Sequence, residues 1–190
     1  MEMDSMKNTL IAAVAGTILA LSSVQSQADS YFGASFGSAD QDTGLAVGQS
    51  GVTSLDEKDS GFKIFYGFEV SSNVDVELHY ADFGEITATD GTTSVKAESN
   101  SFGVSGVYNF IEEGSFSPFV KLGVHRWSGD ATASNGALSA SGSDDGFDVN
   151  YGIGADINLS ESFAIRAEYE MYKLDNLDTT LLSIGAKFTF

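Results

Sequence analysis

Cysteine is absent from this chain of 190 residues, proline occurs once, and basic residues are scarce. Without cysteine there is no disulfide to close a loop and no thiolate to hold a metal, so disulfide scaffolds and cysteine-zinc sites are excluded. Nine Lys and Arg stand against 27 Asp and Glu, a formal net charge of −18. A surface of that sign repels nucleic acid and anionic membrane surfaces, so neither is expected to be held electrostatically. Long apolar runs are missing too: nothing after Leu21 has the length and apolarity of a membrane helix. Membrane residence would have to be as a closed barrel or at a surface.

The one sustained apolar stretch, Leu10 to Leu21, lies between Lys7 and the small-x-small triplet Ser26-Gln27-Ala28. Those are the parts of a secretory signal peptide. Residues 1–28 are therefore expected to be removed, leaving 29–190 as one domain. Met1-Glu2-Met3-Asp4-Ser5 is acidic for the start of such a leader, which makes Met6 an alternative start.

What the mature chain does contain is alternation. In the last segment Leu182, Ile184, Ala186, Phe188 and Phe190 fall on one side, and Ser183, Gly185, Lys187 and Thr189 on the other. A period of two marks a strand with unlike surroundings on its faces. Seven earlier segments, near 31–38, 62–69, 74–81, 101–110, 119–125, 147–157 and 163–171, alternate in the same sense. The connections at 70–73, 111–115 and 158–162 are tight. Those at 39–60, 82–100 and 128–146 are long, polar and rich in Gly, Ser, Thr and Asp, and the one at 173–180 is shorter.

Alternation alone also fits a soluble barrel or sandwich with its apolar face inward. Two features favour the opposite arrangement. The polar face is crowded with Gly and small residues, as a narrow eight-strand interior requires. Aromatics gather at the strand ends of the apolar face, with Phe68, Phe110, Phe163 and Phe190 beside turns and Phe62, Tyr80, Phe102 and Phe147 beside loops. Two such rings match interfacial girdles. A signal peptide and a terminal aromatic strand agree with that destination. The fold expected is all-β: an eight-stranded antiparallel up-and-down transmembrane β-barrel in the cell outer membrane, turns periplasmic and loops outside.

At this level the chain resembles the small outer-membrane barrels of the OmpA-like and OmpX-like type, the porin family with an outer membrane protein beta-barrel domain. The resemblance is carried by residues 61–68 (GFKIFYGF), 73–84 (NVDVELHYADFG), 117–123 (SPFVKLG) and 185–190 (GAKFTF). It implies a fold rather than an activity. It also implies that Phe188 and Phe190 form the signal read by the barrel assembly machinery, and that outer-membrane lipid and lipopolysaccharide are the surroundings. The peptidoglycan-binding domain that follows the barrel in OmpA itself has no counterpart in this sequence, so its tethering role is not implied.

The expected lumen face carries Lys63, Lys121, Arg166 and Lys187 among Glu69, Asp75, Glu77, Asp148, Asp156, Glu168 and Glu170. Charges in a narrow interior must be paired or they are strongly destabilising. An ion-pair ladder centred on Glu77, Lys121, Arg166, Glu168 and Lys187 is the expectation, and a water-filled ion path is the competing reading. His79 and His125 fall on the same face, where a hydrogen-bonded pair is favoured over a metal site because no ligand spacing accompanies them. No cofactor is expected.

An enzyme that modifies lipid A is the remaining alternative. His125-Arg126-Trp127-Ser128 places His and Ser three apart, and hence on opposite faces of a strand, so no catalytic residues are assigned. Arg126 falls on the apolar side near lipid headgroups, while Trp127 is lumen-side by parity unless a bulge turns it. The acidic loop residues Asp40, Asp42, Asp56, Glu57, Asp59, Asp144 and Asp145 are read as solvating. Cation bridging to lipopolysaccharide or recognition of a surface partner is the sharper alternative. Asp40-Gln41-Asp42-Thr43-Gly44 is only a fragment of a calcium loop. The function expected is structural or surface-interacting, with a plugged polar lumen.

Overall fold

The computed structural model describes residues 29–42, 53–90, 92–111, 114–135, 138–175 and 177–190. The signal peptide expected over 1–28 lies outside the described residues. Each alternating segment of the sequence is a strand, because its two faces meet different media and only an extended backbone separates them with period two. The strands are β1 (Ser30–Asp42), β2 (Ser54–Asp56), β3 (Lys58–Ser71), β4 (Val74–Thr89), β5 (Thr93–Asn109), β6 (Phe116–Asn135), β7 (Leu138–Ser160), β8 (Phe163–Leu174) and β9 (Leu177–Thr189).

Eight of them close on themselves. Sequential neighbours pair antiparallel from β3 to β9, while β1 sits between β3 and β9, its ladder with β9 running from Tyr31↔Thr189 to Asp42↔Asp178. Closure satisfies every ladder in the spanning region, which is the condition for β-structure in hydrocarbon. β2 is a three-residue strand added to the outer part of β4, through Leu55↔Ala88.

The apolar faces point outward. Phe36, Phe102, Leu122, Ile153 and Ile184 are exposed on the barrel wall, and their strand neighbours Ser35, Ser101, Lys121 and Ser183 are buried inside. Both aromatic rings lie on this outer wall. At the turn end, Phe32 packs against Phe188 and Phe190 with ring centroids 5.6 and 6.1 Å apart.

The long connections differ from the sequence reading. Residues 85–89, 93–98, 129–135 and 138–144 are not loops; they extend β4, β5, β6 and β7 as a sheet standing beyond the barrel. Their alternation is between Ser or Thr and Ala, which carries almost no hydropathy contrast, and cross-strand pairing supplies the order that composition does not advertise. β4 enters this extension through an irregularity between Asp82 and Glu85. There Gly84 adopts φ +73°, a conformation that favours glycine, and donates its N–H to Asp82 Oδ1 at 3.0 Å.

Candidate functional site

The lumen is where the sequence concentrates buried charge, and strand parity is what aims it there. Lys63 on β3, Glu77 on β4, Lys121 on β6, Asp156 on β7, Arg166, Glu168 and Glu170 on β8 all point inward and are essentially inaccessible. Their contacts form a single chain of alternating sign. From the loop side it runs Glu170, Lys63, Glu168, Lys121, Glu77, Arg166, Asp156, Lys187.

The distances are those of charge-assisted hydrogen bonds. Lys63 Nζ lies 2.5 Å from both Glu168 Oε2 and Glu170 Oε2. Lys121 Nζ donates to Glu77 Oε1 and Glu168 Oε1, each at 2.5 Å. Arg166 grips Asp156 with two donors, Nε at 2.7 Å and Nη2 at 2.9 Å, and reaches Glu77 Oε2 with Nη1 at 2.7 Å. Lys187 Nζ closes the chain on Asp156 Oδ2 at 2.5 Å. Four cations and four carboxylates make the chain neutral, and each interior member touches at least two opposite charges, Lys121 a third in Glu170 Oε1 at 3.5 Å. Only such multiple pairing can offset the several kcal/mol that each ion loses on leaving water.

Aromatic faces support the cations. The Arg166 guanidinium lies 4.5 Å from the Phe119 ring centroid and 4.9 Å from that of Phe65. Such contacts add to ion pairing when the cation is desolvated. Tyr31 and Tyr172 complete the chain at its flanks, donating to Glu77 Oε2 and Glu170 Oε1, each at 3.3 Å.

Of the five residues picked from the sequence, Glu77, Lys121, Arg166 and Glu168 are in the middle of this chain and Lys187 is its turn-side end. Lys63 and Asp156 are equally interior and Glu170 is the chain's loop-side end; parity places these three on the lumen face without giving their height along the barrel. Asp75 stands beside the chain and accepts from Asn109 Nδ2 at 3.1 Å. Glu69 is half-buried at the turn-side mouth, and Asp148 half-buried near the loop side.

Toward the loops the lumen changes character. Phe83, Trp127, Tyr172, Leu174 and Leu181 pack with Ala39 and Ala81 into a buried apolar cluster, the Phe83 and Tyr172 rings 4.9 Å apart. Trp127 keeps its lumen parity, since β6 and β7 pair without a bulge from Asn135↔Leu138 to Phe116↔Ile157. Toward the turns lies a cavity of about 580 Å³ lined by Tyr31, Asp75, Asn109, Asp156 and Lys187 among others.

The two histidines do not form the expected pair. No hydrogen bond joins them; His125 Nδ1 meets Ser101 Oγ at 2.8 Å, and both rings stand edge-on to Tyr172. Gly103 lies between them in the cross-strand row, and a Cβ there would come within 2.6 Å of His125 Cβ and 2.8 Å of His79 Cε1. A bare glycine is what lets both rings fit. Among the described residues, no three His, Cys, Asp or Glu are grouped as metal ligands.

On the loop side, Arg126 is exposed and bonds Asp145 Oδ2 at 2.9 Å, with Ser128 two residues beyond it on the same side and His125 on the other. Of the calcium-loop fragment, Asp40 is tied to Lys58 at 2.8 Å and Gln41 is buried against Phe83 O and Ser99 Oγ. Thr43 and Gly44 lie outside the described residues. Lys58 is held above its usual pKa by the Asp40 carboxylate, and Lys96 by Glu85. Asp59 is held below the usual carboxylate value by the backbone N–H groups of Glu85 and Ser60.

An eight-stranded closed barrel, apolar outside and ionic within, is a transmembrane β-barrel of the outer membrane. The chain belongs to the outer membrane protein beta-barrel domain family, whose model matches residues 9–190. No curated protein sequence matches it significantly. Among solved structures it is similar to Ail, the attachment invasion locus protein of Yersinia pestis, at 21% identity and TM-score 0.62, covering 87% of this chain and 100% of that one. It is also similar to the N-terminal β-barrel domain of Pseudomonas aeruginosa OprF, at 18% identity and TM-score 0.56, covering 85% and 97%. P. aeruginosa OprG matches at 16% identity and TM-score 0.56, covering 85% and 95%.

Proposed function

We propose that this protein is a non-conducting outer-membrane barrel whose work is done at the surface, as a structural or surface-interaction element. The observation that carries this reading is the alternating eight-charge chain that fills the lumen beneath the Phe83–Trp127–Tyr172 cluster. An ion crossing it would have to displace a matched partner at every step and then pass an apolar seal. In this reading water enters from the turn-side cavity and stops at the chain, which acts as a plug.

The loop side supplies the surface. It holds four described cations, Lys58, Lys96, Arg126 and Lys173, each already bound by a carboxylate. The remaining carboxylates leave that end strongly negative. In this reading the loops lie outside the cell, residues 1–28 are the export signal, and the barrel comprises 29–190. Phe188 and Phe190, exposed at the turn end of β9, serve as the strand signal for the assembly machinery, and lipopolysaccharide surrounds the wall. No catalytic role is assigned: His125 and Ser128 lie on opposite faces, which argues against a lipid A hydrolase.

Planar-bilayer recording of the refolded protein tests the plug. The expected record is a silent baseline; a large steady conductance overturns it.

A further inference from the structure

The eight-charge chain of the lumen is neutral, but the turn-side cavity beneath it is not. Its wall holds a row of three carboxylates on adjacent strands. Asp29, just ahead of β1, lies opposite Glu69, whose N–H donates to the Asp29 carbonyl at 3.0 Å. Glu69 in turn lies directly opposite Asp75 on β4. All three line the cavity. Like charges facing each other across strands are destabilising. Asp75 is only 8% exposed, so water relieves little of that repulsion.

No described Lys or Arg forms a salt bridge with any of the three. Arg166 and Lys187, the cations at this end of the lumen, are both engaged by Asp156. Asp75 accepts from the Asn109 amide at 3.1 Å, a neutral donor that leaves its charge in place. A metal ion is not indicated either, because among the described residues no three His, Cys, Asp or Glu are grouped to hold one. The row needs a cation that the folded side chains do not supply.

The row begins where the leader ends. Removal of residues 1–28 hydrolyses the Ala28–Asp29 peptide bond. A signal peptidase adds one water, Ala28 departs with a carboxylate, and the Asp29 nitrogen changes from a neutral amide to a protonated primary amine. The Asp29–Glu69 ladder bond holds that amine at the head of the row, so it meets the carboxylates as a tethered group rather than a free ion. We propose that the α-ammonium of Asp29 is the counter-ion of the Asp29–Glu69–Asp75 row, and that removal of the leader thereby stabilises the turn-side end of β1, β3 and β4. In the precursor the row stays uncompensated, so the barrel reaches its full stability only after processing. The inference rests on the reading of residues 1–28 as an export signal that ends at Ala28.

The test has two arms. N-terminal sequencing of the protein recovered from outer membranes should begin Asp29-Ser30-Tyr31-Phe32, and any other start overturns the leader boundary and this proposal together. The processed chain, refolded in lipid vesicles, is then compared by urea titration with its α-amine free and acetylated. Acetylation restores the neutral amide of the precursor. It should lower the folded-to-unfolded ratio about fivefold, the upper range for a partly exposed ion pair. In Glu69→Gln/Asp75→Asn the same acetylation should change the ratio by less than about twofold, since the charge to be answered is gone. Glu69→Gln alone should give an intermediate loss, and it stands in if the double variant does not refold. The side-chain carboxyl 13C signals of Glu69 and Asp75 should move on acetylation while that of Asp144, on the loop side, stays fixed. An acetylation effect equal in the unaltered and substituted chains, or absent from both, overturns the proposal and leaves the leader boundary standing. Failure of the plug would appear separately, as conductance.

Discussion

Arg166→Met is the most incisive perturbation of the lumen. The guanidinium is fully buried and makes three charge-assisted hydrogen bonds, two to Asp156 and one to Glu77, over the rings of Phe119 and Phe65. Methionine fills much of the volume but leaves the chain with four carboxylates and three cations. Removing one partner of a buried ion pair costs about 3–5 kcal/mol, because the uncompensated charge remains in a low-dielectric interior. At about 1.4 kcal/mol per decade, the folded-to-unfolded ratio should fall by roughly two to three and a half powers of ten. Urea titration in lipid vesicles measures this directly, and the single tryptophan, Trp127, reports from the lumen itself. Arg166→Met/Asp156→Leu restores neutrality, and Lys187 is placed at the open cavity where water can take over its solvation. The double variant should recover half or more of the loss, a coupling that independent sites do not show. A single-variant loss below about 1 kcal/mol, or a double variant no better than the single, would refute the ion-chain reasoning.

Three further outcomes follow from the same geometry. Gly103→Val should cost about 1–3 kcal/mol in urea titration by forcing His125 and His79 apart, whereas a valine at the open Gly142 should cost far less. Tyr172→Ala removes the ring shared by both histidines and Phe83 and should cost about 3–5 kcal/mol; a loss under 1 kcal/mol would mean that the apolar cluster is loosely packed. At the tip of the β4–β5 hairpin, Asp90 Oδ1 accepts from the N–H groups of Thr93 and Thr92 at 2.7 and 3.0 Å, which hold its pKa below the ordinary 3.8. A depressed folded pKa means the contribution is present above pH 3.8 and disappears as pH falls through the folded value. The Thr92 and Thr93 amide NMR signals should therefore stay fixed from neutrality to near pH 4 and shift only below it.

Much of this architecture is legible in the sequence, for a physical reason. Where one face of a strand touches hydrocarbon and the other buried charge, the contrast between Ile184 and Lys187, or Leu122 and Lys121, is as strong as side chains allow. Strand number, closure and facing follow from that contrast. The extended sheet has none of it: Ala131, Thr132, Ala133 and Ser134 all meet solvent, and small side chains of similar polarity read as a loop although their backbones pair in register. The lumen partners divide along the same line. Parity places Lys63, Glu168 and Glu170 inside, but their union needs the stagger between β3 and β8, which no residue pattern encodes. The histidines do not pair either: Ser101 Oγ meets Nδ1 of His125, and the Tyr172 ring stands edge-on to both imidazoles, neighbours that parity alone does not name.

Accessibility scanning along β9 tests most directly which side of the sheet meets lipid. With single spin labels at 182, 183, 184 and 186 in bilayers, oxygen should reach Leu182, Ile184 and Ala186 while a water-soluble nickel reagent reaches none of them, and Ser183 should be closed to both. Nickel contact at Ile184 together with oxygen contact at Ser183 would contradict the account.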